Sequence, residues 1–173
     1  MLSTYIEIGE VLKPQGIQGL VKVRPDTDDP ERFLALSSVW AKEGEAYREV
    51  PVSEAGVRDS FVYLRLDGAA DRNAAEKQRG WMLYVDRAHA KPLGEDEWFI
   101  CDLVGCTAST EDGEILGEVT EIMQPGPNDV FVIRTKRGEL LVPVLKRVLK
   151  SVDVQARSIV FWRERLREVA LYE

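Results

Sequence analysis

Short runs of β-forming residues, each ended by glycine, proline or other turn residues, follow one another along almost the whole chain. In the run that begins at Leu20, Val21 and Val23 alternate with Lys22 and Arg24, as in a strand with one buried face. Many short strands at this spacing are typical of β-sandwiches and β-barrels, so we predict a mostly β fold. The predicted strands are residues 4–12, 20–24, 38–40, 48–52, 61–66, 81–85, 99–106, 116–123, 130–135, 140–145 and 158–162.

Two segments have helical features instead. Asp71 is a good N-cap and Gly80 is a good residue to follow a helix, with eight residues between them. A helix this short is unstable alone, so we expect it to cap one end of a barrel. Near the end of the chain, Leu166, Val169 and Ala170 recur at helical spacing, which predicts a terminal helix within residues 164–172.

A polar stretch without periodicity divides the chain. Residues 86–97 include Pro92 and Gly94, which favour a linker over a strand or helix. We therefore predict two small β-barrel domains. The predicted boundaries are 1–90 for the N-terminal barrel, 91–97 for the linker, 98–165 for the second barrel and 166–173 for a C-terminal tail.

The apolar residues are too dispersed for a membrane protein. No run approaches the roughly 18 consecutive apolar residues that a transmembrane helix needs. The first residues include Glu7 and Glu10 and lack the basic and apolar regions of a signal peptide. We therefore expect a cytoplasmic protein without membrane contact, and a monomer.

Charge is sorted along the chain. The net charge is −7, which argues against a general nucleic-acid binder. Residues 94–133 nevertheless contain ten acids and no Lys or Arg, whereas residues 134–167 contain ten bases and three acids. Such sorting suits a protein that contacts both a basic protein and RNA, but hairpin strands with solvated outer faces explain it equally.

The sequence offers little for catalysis. His89 is the only histidine, and with Cys101 and Cys106 as the only cysteines there are too few ligands for a four-coordinate zinc site. We interpret both cysteines as small buried hydrophobic residues. No Walker loop or dinucleotide-binding glycine motif is present. We therefore expect no catalytic residue, no metal and no cofactor, and the protein is not expected to be an enzyme; the same observations disfavour an RNA-processing nuclease.

A glycine-containing turn is the first candidate binding site. Gly16 and Gly19 lie close to Lys13, Lys22 and Arg24. Glycines allow close approach of a partner to the backbone, and the flanking bases attract phosphate. A hairpin that needs positive φ at both glycines explains the same residues.

Aromatic and basic residues give two further candidates. Trp98 and Phe99 open the second domain, and large aromatic residues are enriched at interface hot spots, although they are also ordinary core residues. As neighbours in a strand they would point to opposite faces, so at least one should be exposed or at a domain boundary. A basic group at Lys146, Arg147 and Lys150 is a candidate RNA-binding patch.

These features occur in the same order along the chain as in the RimM family, and the chain resembles that family over nearly its whole length. In the first half the resemblance lies in the N-terminal glycine turn with its basic strand, and in a second block around Gly68, Ala75-Glu76 and Arg79-Gly80. The second half resembles a PRC-barrel domain. Its matching motifs are Asp102-Leu103-x-Gly105, Asp112-Gly113, Leu116-Gly117-x-Val119, Asn128-Asp129-Val130, Leu141-Val142-Pro143 and Val152-Asp153.

The resemblance implies a fold and a function. It implies an N-terminal barrel like those of translation factors, followed by a PRC barrel. It also implies a ribosome maturation factor that binds the free 30S subunit or its precursor and assists folding and processing of the 3′ head domain of 16S rRNA. The implied protein partner is a basic head protein, the nineteenth protein of the small subunit (protein S-nineteen), and the implied ribosome-binding pair is Trp98-Phe99.

The chain departs from the family pattern in the same regions. Gln15 stands where the family usually has His, and Leu20 stands where it usually has Glu. Trp98 and Phe99 replace a usual pair of tyrosines, so they lack both hydroxyl groups.

The rival hypothesis is a PRC-barrel adaptor that binds another protein and no ribosome.

Overall fold

The chain folds into two compact units. The structure is a computed structural model that describes residues 2–27, 29–43 and 45–172. The first unit is Thr4–Lys91, and the second contains the rest of the described chain, namely residues 2–3 and 92–172. Each unit has its own sheet, which confirms the predicted mostly β, two-barrel class of fold. Among the described residues, no helix is both long and apolar enough to cross a membrane.

The first unit is a closed antiparallel barrel with the strand order β1-β2-β5-β4-β3-β6. It closes because β1 pairs with β2 along one edge and with β6 along the other. Buried valine, leucine and isoleucine side chains alternate with outward polar ones, as the sequence periodicity predicted. The strands are β1 (Tyr5–Gln15), β2 (Leu20–Pro25), β3 (Ser38–Glu43), β4 (Ala46–Arg58), β5 (Phe61–Leu66) and β6 (Met82–Asp86).

The helix predicted after Asp71 is present but shorter than expected. Helix α1 is Arg72–Glu76, and the Asp71 carboxylate caps it by accepting a hydrogen bond from the Ala74 amide at 2.8 Å. Within the helix, the side chain of Ala75 is fully buried. Two 3₁₀ turns, Pro30–Ala35 and Arg87–His89, complete this unit.

The second unit is a seven-stranded sheet with the order β11-β12-β7-β8-β9-β10-β13. All neighbours are antiparallel except β12 and β7, which are parallel. Its core contains Phe131 and Phe161, which meet edge to face at 5.7 Å between ring centres. The strands are β7 (Thr107–Thr110), β8 (Ile115–Met123), β9 (Val130–Thr135), β10 (Gly138–Pro143), β11 (Leu149–Asp153), β12 (Ser158–Phe161) and β13 (Leu171–Tyr172).

Two predictions for the second unit were wrong in part. The strand expected over residues 99–106 is instead a short helix, α2 (Ile100–Leu103), followed by a turn at Gly105, whose φ is +80°. The terminal helix α3 (Arg163–Val169) is present, but it ends before Ala170. The residues after it form β13, which pairs with β10 at the edge of the sheet.

Candidate functional site

The glycine turn forms a protruding loop between β1 and β2. Gly16 and Gly19 both have positive φ, +66° and +82°, so the backbone conformation itself favours glycine. Ile17 lies between them and is 78% exposed. The hairpin interpretation is therefore sufficient to explain the two glycines, while the exposed isoleucine still leaves an apolar tip for a partner.

Two arginines far away in sequence hold this loop in place. The Arg65 guanidinium donates hydrogen bonds to the carbonyl oxygens of Gln18 and Ala69, and Arg72 donates one to the carbonyl of Gly16 at 3.2 Å. Arg65 is itself fixed by Glu54, whose carboxylate is 2.9 Å from its Nη2. Sequence reasoning did not find these arginines, because they lie in β5 and α1 and only the tertiary fold brings them to the loop.

The predicted bases near the loop differ in whether a carboxylate neutralises their charge. Lys13 and Lys22 are cross-strand neighbours, and the Lys22 ammonium lies 3.5 Å from the centre of the Phe61 ring. Arg24 forms an ion pair with Glu10 at 2.5 Å. The charge of Arg24 is therefore partly neutralised within the barrel, whereas the two lysines raise the positive potential on one surface.

Trp98 and Phe99 lie directly before α2 and not in a strand, and the backbone of Phe99 is extended. The alternation argument therefore does not apply to them, and the expectation that they point to opposite faces of a sheet was wrong in its premise. Both side chains are half-buried, and Trp98 packs against the core of the second unit. At least part of the Trp98 side chain is thus a core contact.

The candidate patch at residues 146–150 is less basic than its sequence. The Lys146 ammonium is 2.8 Å from the Asp96 carboxylate. Lys150 lies 5.2 Å from the ring centre of Trp162, which is 42% exposed. Arg147 is exposed. The surface therefore combines partly compensated cations with an aromatic ring.

Acids of the 94–133 segment are also partly compensated. The Arg163 guanidinium is 2.7 Å from the Asp112 carboxylate and 2.5 Å from that of Glu114. The hydrogen bond from the Arg163 guanidinium is the main reason that the pKa of Asp112 lies well below its usual range. Arg134 pairs with Glu118 in the same way at 3.3 Å. The segment presents less free negative charge than the ten acids of its sequence suggest.

The single histidine is exposed, and only one of the two cysteines is buried. The exposed His89 ring lies 2.7 Å from the Asp86 carboxylate, and hydrogen bonds from His89 lower the pKa of Asp86. Cys106 is buried as predicted, but Cys101 is exposed, because it lies on the outer side of the short helix α2. The described residues contain no group of three or more histidine, cysteine or acidic side chains that could hold a metal ion.

A closed barrel followed by a second β unit defines a mostly β protein with two compact units. Comparison with known families specifies the class further. The model of the RimM N-terminal domain matches residues 6–90, and the model of the RimM PRC barrel domain matches residues 100–164. The chain therefore belongs to the RimM family of ribosome maturation factors.

Two relatives compared by sequence agree with the family models. A ribosome maturation factor RimM from Caldanaerobacter subterraneus is 38% identical over 92% of this chain and 96% of its own. A ribosome maturation factor RimM from Desulfitobacterium hafniense is 41% identical over 88% of both chains. A crystal structure of a 16S ribosomal RNA processing protein RimM from Pseudomonas aeruginosa covers 91% of this chain and 96% of its own, with 21% identity and a TM-score of 0.46.

Proposed function

We propose that the protein binds the free 30S subunit or its precursor in the cytoplasm and assists folding and processing of the head domain of 16S rRNA. The observation that carries this proposal is the ordered match of both RimM domains, together with relatives named ribosome maturation factor RimM that align over nine-tenths of the chain. A PRC-barrel adaptor without a ribosomal role would leave the match over residues 6–90 unexplained.

The proposed mechanism is non-enzymatic. A factor that binds one conformation of a ribonucleoprotein more tightly than another raises the population of the first. The protein must therefore prefer immature or free subunits to mature ribosomes, because equal affinity for both would shift no equilibrium.

The proposed contact surfaces are the glycine loop and the aromatic pair. Ile17 at the tip of the loop and the cross-strand pair Lys13 and Lys22 in the strands that lead to it offer an apolar and basic surface. Trp98 and Phe99 are proposed as the second contact, and both are half-buried with area left for a partner. The net charge of −7 favours the basic head protein S-nineteen as the protein partner.

Sedimentation tests the proposal directly. The purified protein is centrifuged with free small subunits, large subunits and intact ribosomes over a series of salt concentrations. We expect co-sedimentation with free small subunits alone, weakening as salt rises. A folded protein that sediments with none of these particles would contradict the proposal.

A further inference from the structure

A row of residues crosses four strands on the outer surface of the N-terminal barrel. Lys13 lies opposite Lys22, Lys22 opposite Tyr63, and Tyr63 opposite Gly56 in successive antiparallel pairs. The residues that flank Lys22 and Tyr63 in their strands are buried, so strand alternation turns these two side chains outward. One outer surface thus holds two bases, an aromatic ring and a position without a side chain.

Two cation–aromatic pairs lie on this surface. Lys22 is centred 3.5 Å above the Phe61 ring, and the Arg58 guanidinium is 5.2 Å from the centre of the Tyr63 ring. Phe61 and Tyr63 are two residues apart in β5, so both rings occupy the same face at a spacing of about 7 Å. Bases interleaved with aromatic rings on a barrel surface are the pattern by which proteins bind single-stranded nucleic acid.

A groove of about 510 Å³ adjoins Tyr63. Residues of the β1–β2 hairpin and of the end of β4 line the groove together with Tyr63, namely Gln15, Gly16, Ile17, Gln18, Leu20, Gly56, Val57 and Arg58. A Cβ atom at Gly56 would have nothing within 4 Å, so the glycine leaves open space beside the ring. The volume falls within the roughly 300–1,000 Å³ typical of small-ligand sites. A mostly apolar lining, a ring, one cation and two amide residues suit a planar base attached to a phosphate.

We propose that this aromatic–basic face, consisting of Lys13, Lys22, Arg58, Phe61 and Tyr63, binds an unpaired segment of RNA. One base enters the groove and stacks on Tyr63, and a neighbouring base stacks on Phe61. The cations that now cover the rings move to the flanking phosphates when the bases take their place. That the RNA is a segment of precursor rRNA rests on the proposed function; the binding chemistry does not.

Local charge favours RNA over a protein as the occupant. The proposed protein partner is basic and would be repelled by Lys13, Lys22 and Arg58. Asp59 forms an ion pair with Arg58, but its carboxylate is 3.9 Å away and 86% exposed, so it competes only weakly for the guanidinium. An acidic peptide would satisfy the cations but would leave both rings and the groove unused.

Fluorescence anisotropy of the full chain with a labelled twelve-nucleotide single-stranded RNA tests the proposal, with a duplex of the same sequence alongside. Tyr63→Leu should weaken single-strand binding about tenfold, because one stacked base is lost. Tyr63→Phe keeps the ring and should bind within about twofold of the parent. Lys22→Gln should reduce the slope of log affinity against log salt by roughly 0.7, one phosphate contact.

Lys42→Gln is the matched control. The Lys42 ammonium lies 5.9 Å from the ring centre of Tyr47 on the same barrel and outside the groove lining. The variant therefore removes one cation from the same kind of cation–aromatic pair. It should leave affinity and salt slope unchanged. Equal binding by Tyr63→Leu and the parent would overturn the proposal. The proposal would also be overturned if the parent bound no RNA but bound a polyglutamate peptide through Lys22 and Arg58.

Sedimentation of the same variants with small subunits separates this inference from the proposed function. If the parent co-sediments and Tyr63→Leu does so with equal affinity, the aromatic–basic face is not the contact and the proposed function stands. If RNA binding depends on Tyr63 but the parent does not sediment with subunits, the face is confirmed and the proposed function is overturned.

Discussion

At the scale of single residues, Gly19 is the position in the loop between β1 and β2 that should tolerate an added side chain least. Its φ is +82°, and a Cβ atom there would overlap the backbone carbonyl of Ala69. Gly16 also has positive φ, but a Cβ there would meet nothing within 4 Å. We expect Gly19→Ala to cost about 2 kcal/mol or more and Gly16→Ala about 1 kcal/mol, because only the first adds a steric clash to backbone strain. Amide hydrogen exchange in β2 measures both, and equal costs would contradict this explanation.

Trp98 and Phe99 can be tested as a binding anchor. We expect the combined change Trp98→Ala and Phe99→Ala to weaken small-subunit binding by roughly 2 kcal/mol or more. Because Trp98 packs against the core, the change should also lower the melting temperature. Binding is therefore compared at a temperature where circular dichroism shows parent and variant folded. A folded variant that binds like the parent would exclude an anchor role.

Asp112 should make the second unit sensitive to acid. Its pKa in the folded protein lies below the usual value of about 4, because the Arg163 guanidinium stabilises the carboxylate. The stabilisation is therefore fully present above about pH 4 and is lost as pH falls through the folded pKa. We expect the melting temperatures of the parent and of Asp112→Asn to differ at pH 6 and to converge towards pH 2. A difference that stays constant would show that the ionised carboxylate is not the cause.

At the scale of elements, α1 illustrates what local sequence can predict. Asp71 was expected to be a cap, and its carboxylate does accept a hydrogen bond from the Ala74 amide. The helix ends at Glu76, before the glycine that was expected to follow it, because only Ala75 within it is buried and propensity alone cannot extend it. We expect Asp71→Ala to cost about 1 kcal/mol and to loosen the loop that Arg72 holds at Gly16. Asp71→Asn retains a capping oxygen and should cost less in the same urea titration.

Helix α2 shows where local sequence was insufficient. A short apolar run can form either a strand or a buried helical turn, and periodicity does not separate them. Here the backbone amide of Ser3 donates to the buried Asp102 carboxylate at 3.2 Å, and the Cys106 thiol donates to the Asp102 carbonyl at 3.2 Å. The first of these contacts spans nearly a hundred residues of sequence, so the segment 99–106 alone could not have indicated the helical turn.

At the scale of the whole molecule, the sequence predicted the family and the two β units but not the aromatic–basic face. Lys13, Lys22 and Tyr63 become neighbours only because β1, β2 and β5 pair in that order in the closed barrel. Periodicity indicates which side of a strand faces out, but strand order and register decide which outward residues meet. The same reason explains why Arg65 and Arg72 were missed as supports of the glycine loop.

Charge acts over the whole molecule, so the group at Lys146, Arg147 and Lys150 is best tested against an equal loss of charge elsewhere. Replacing all three with Ala should weaken small-subunit binding and lower its salt slope by about two, fewer than three contacts because Lys146 is already paired with Asp96. The matched control replaces Arg134, Lys136 and Arg137 with Ala, which removes the same charge around the β9–β10 turn. If net charge alone governed association, both triple variants would lower the slope equally. A larger effect of the first would assign phosphate contacts to that patch, whereas an unchanged slope would remove it from the rRNA-binding surface.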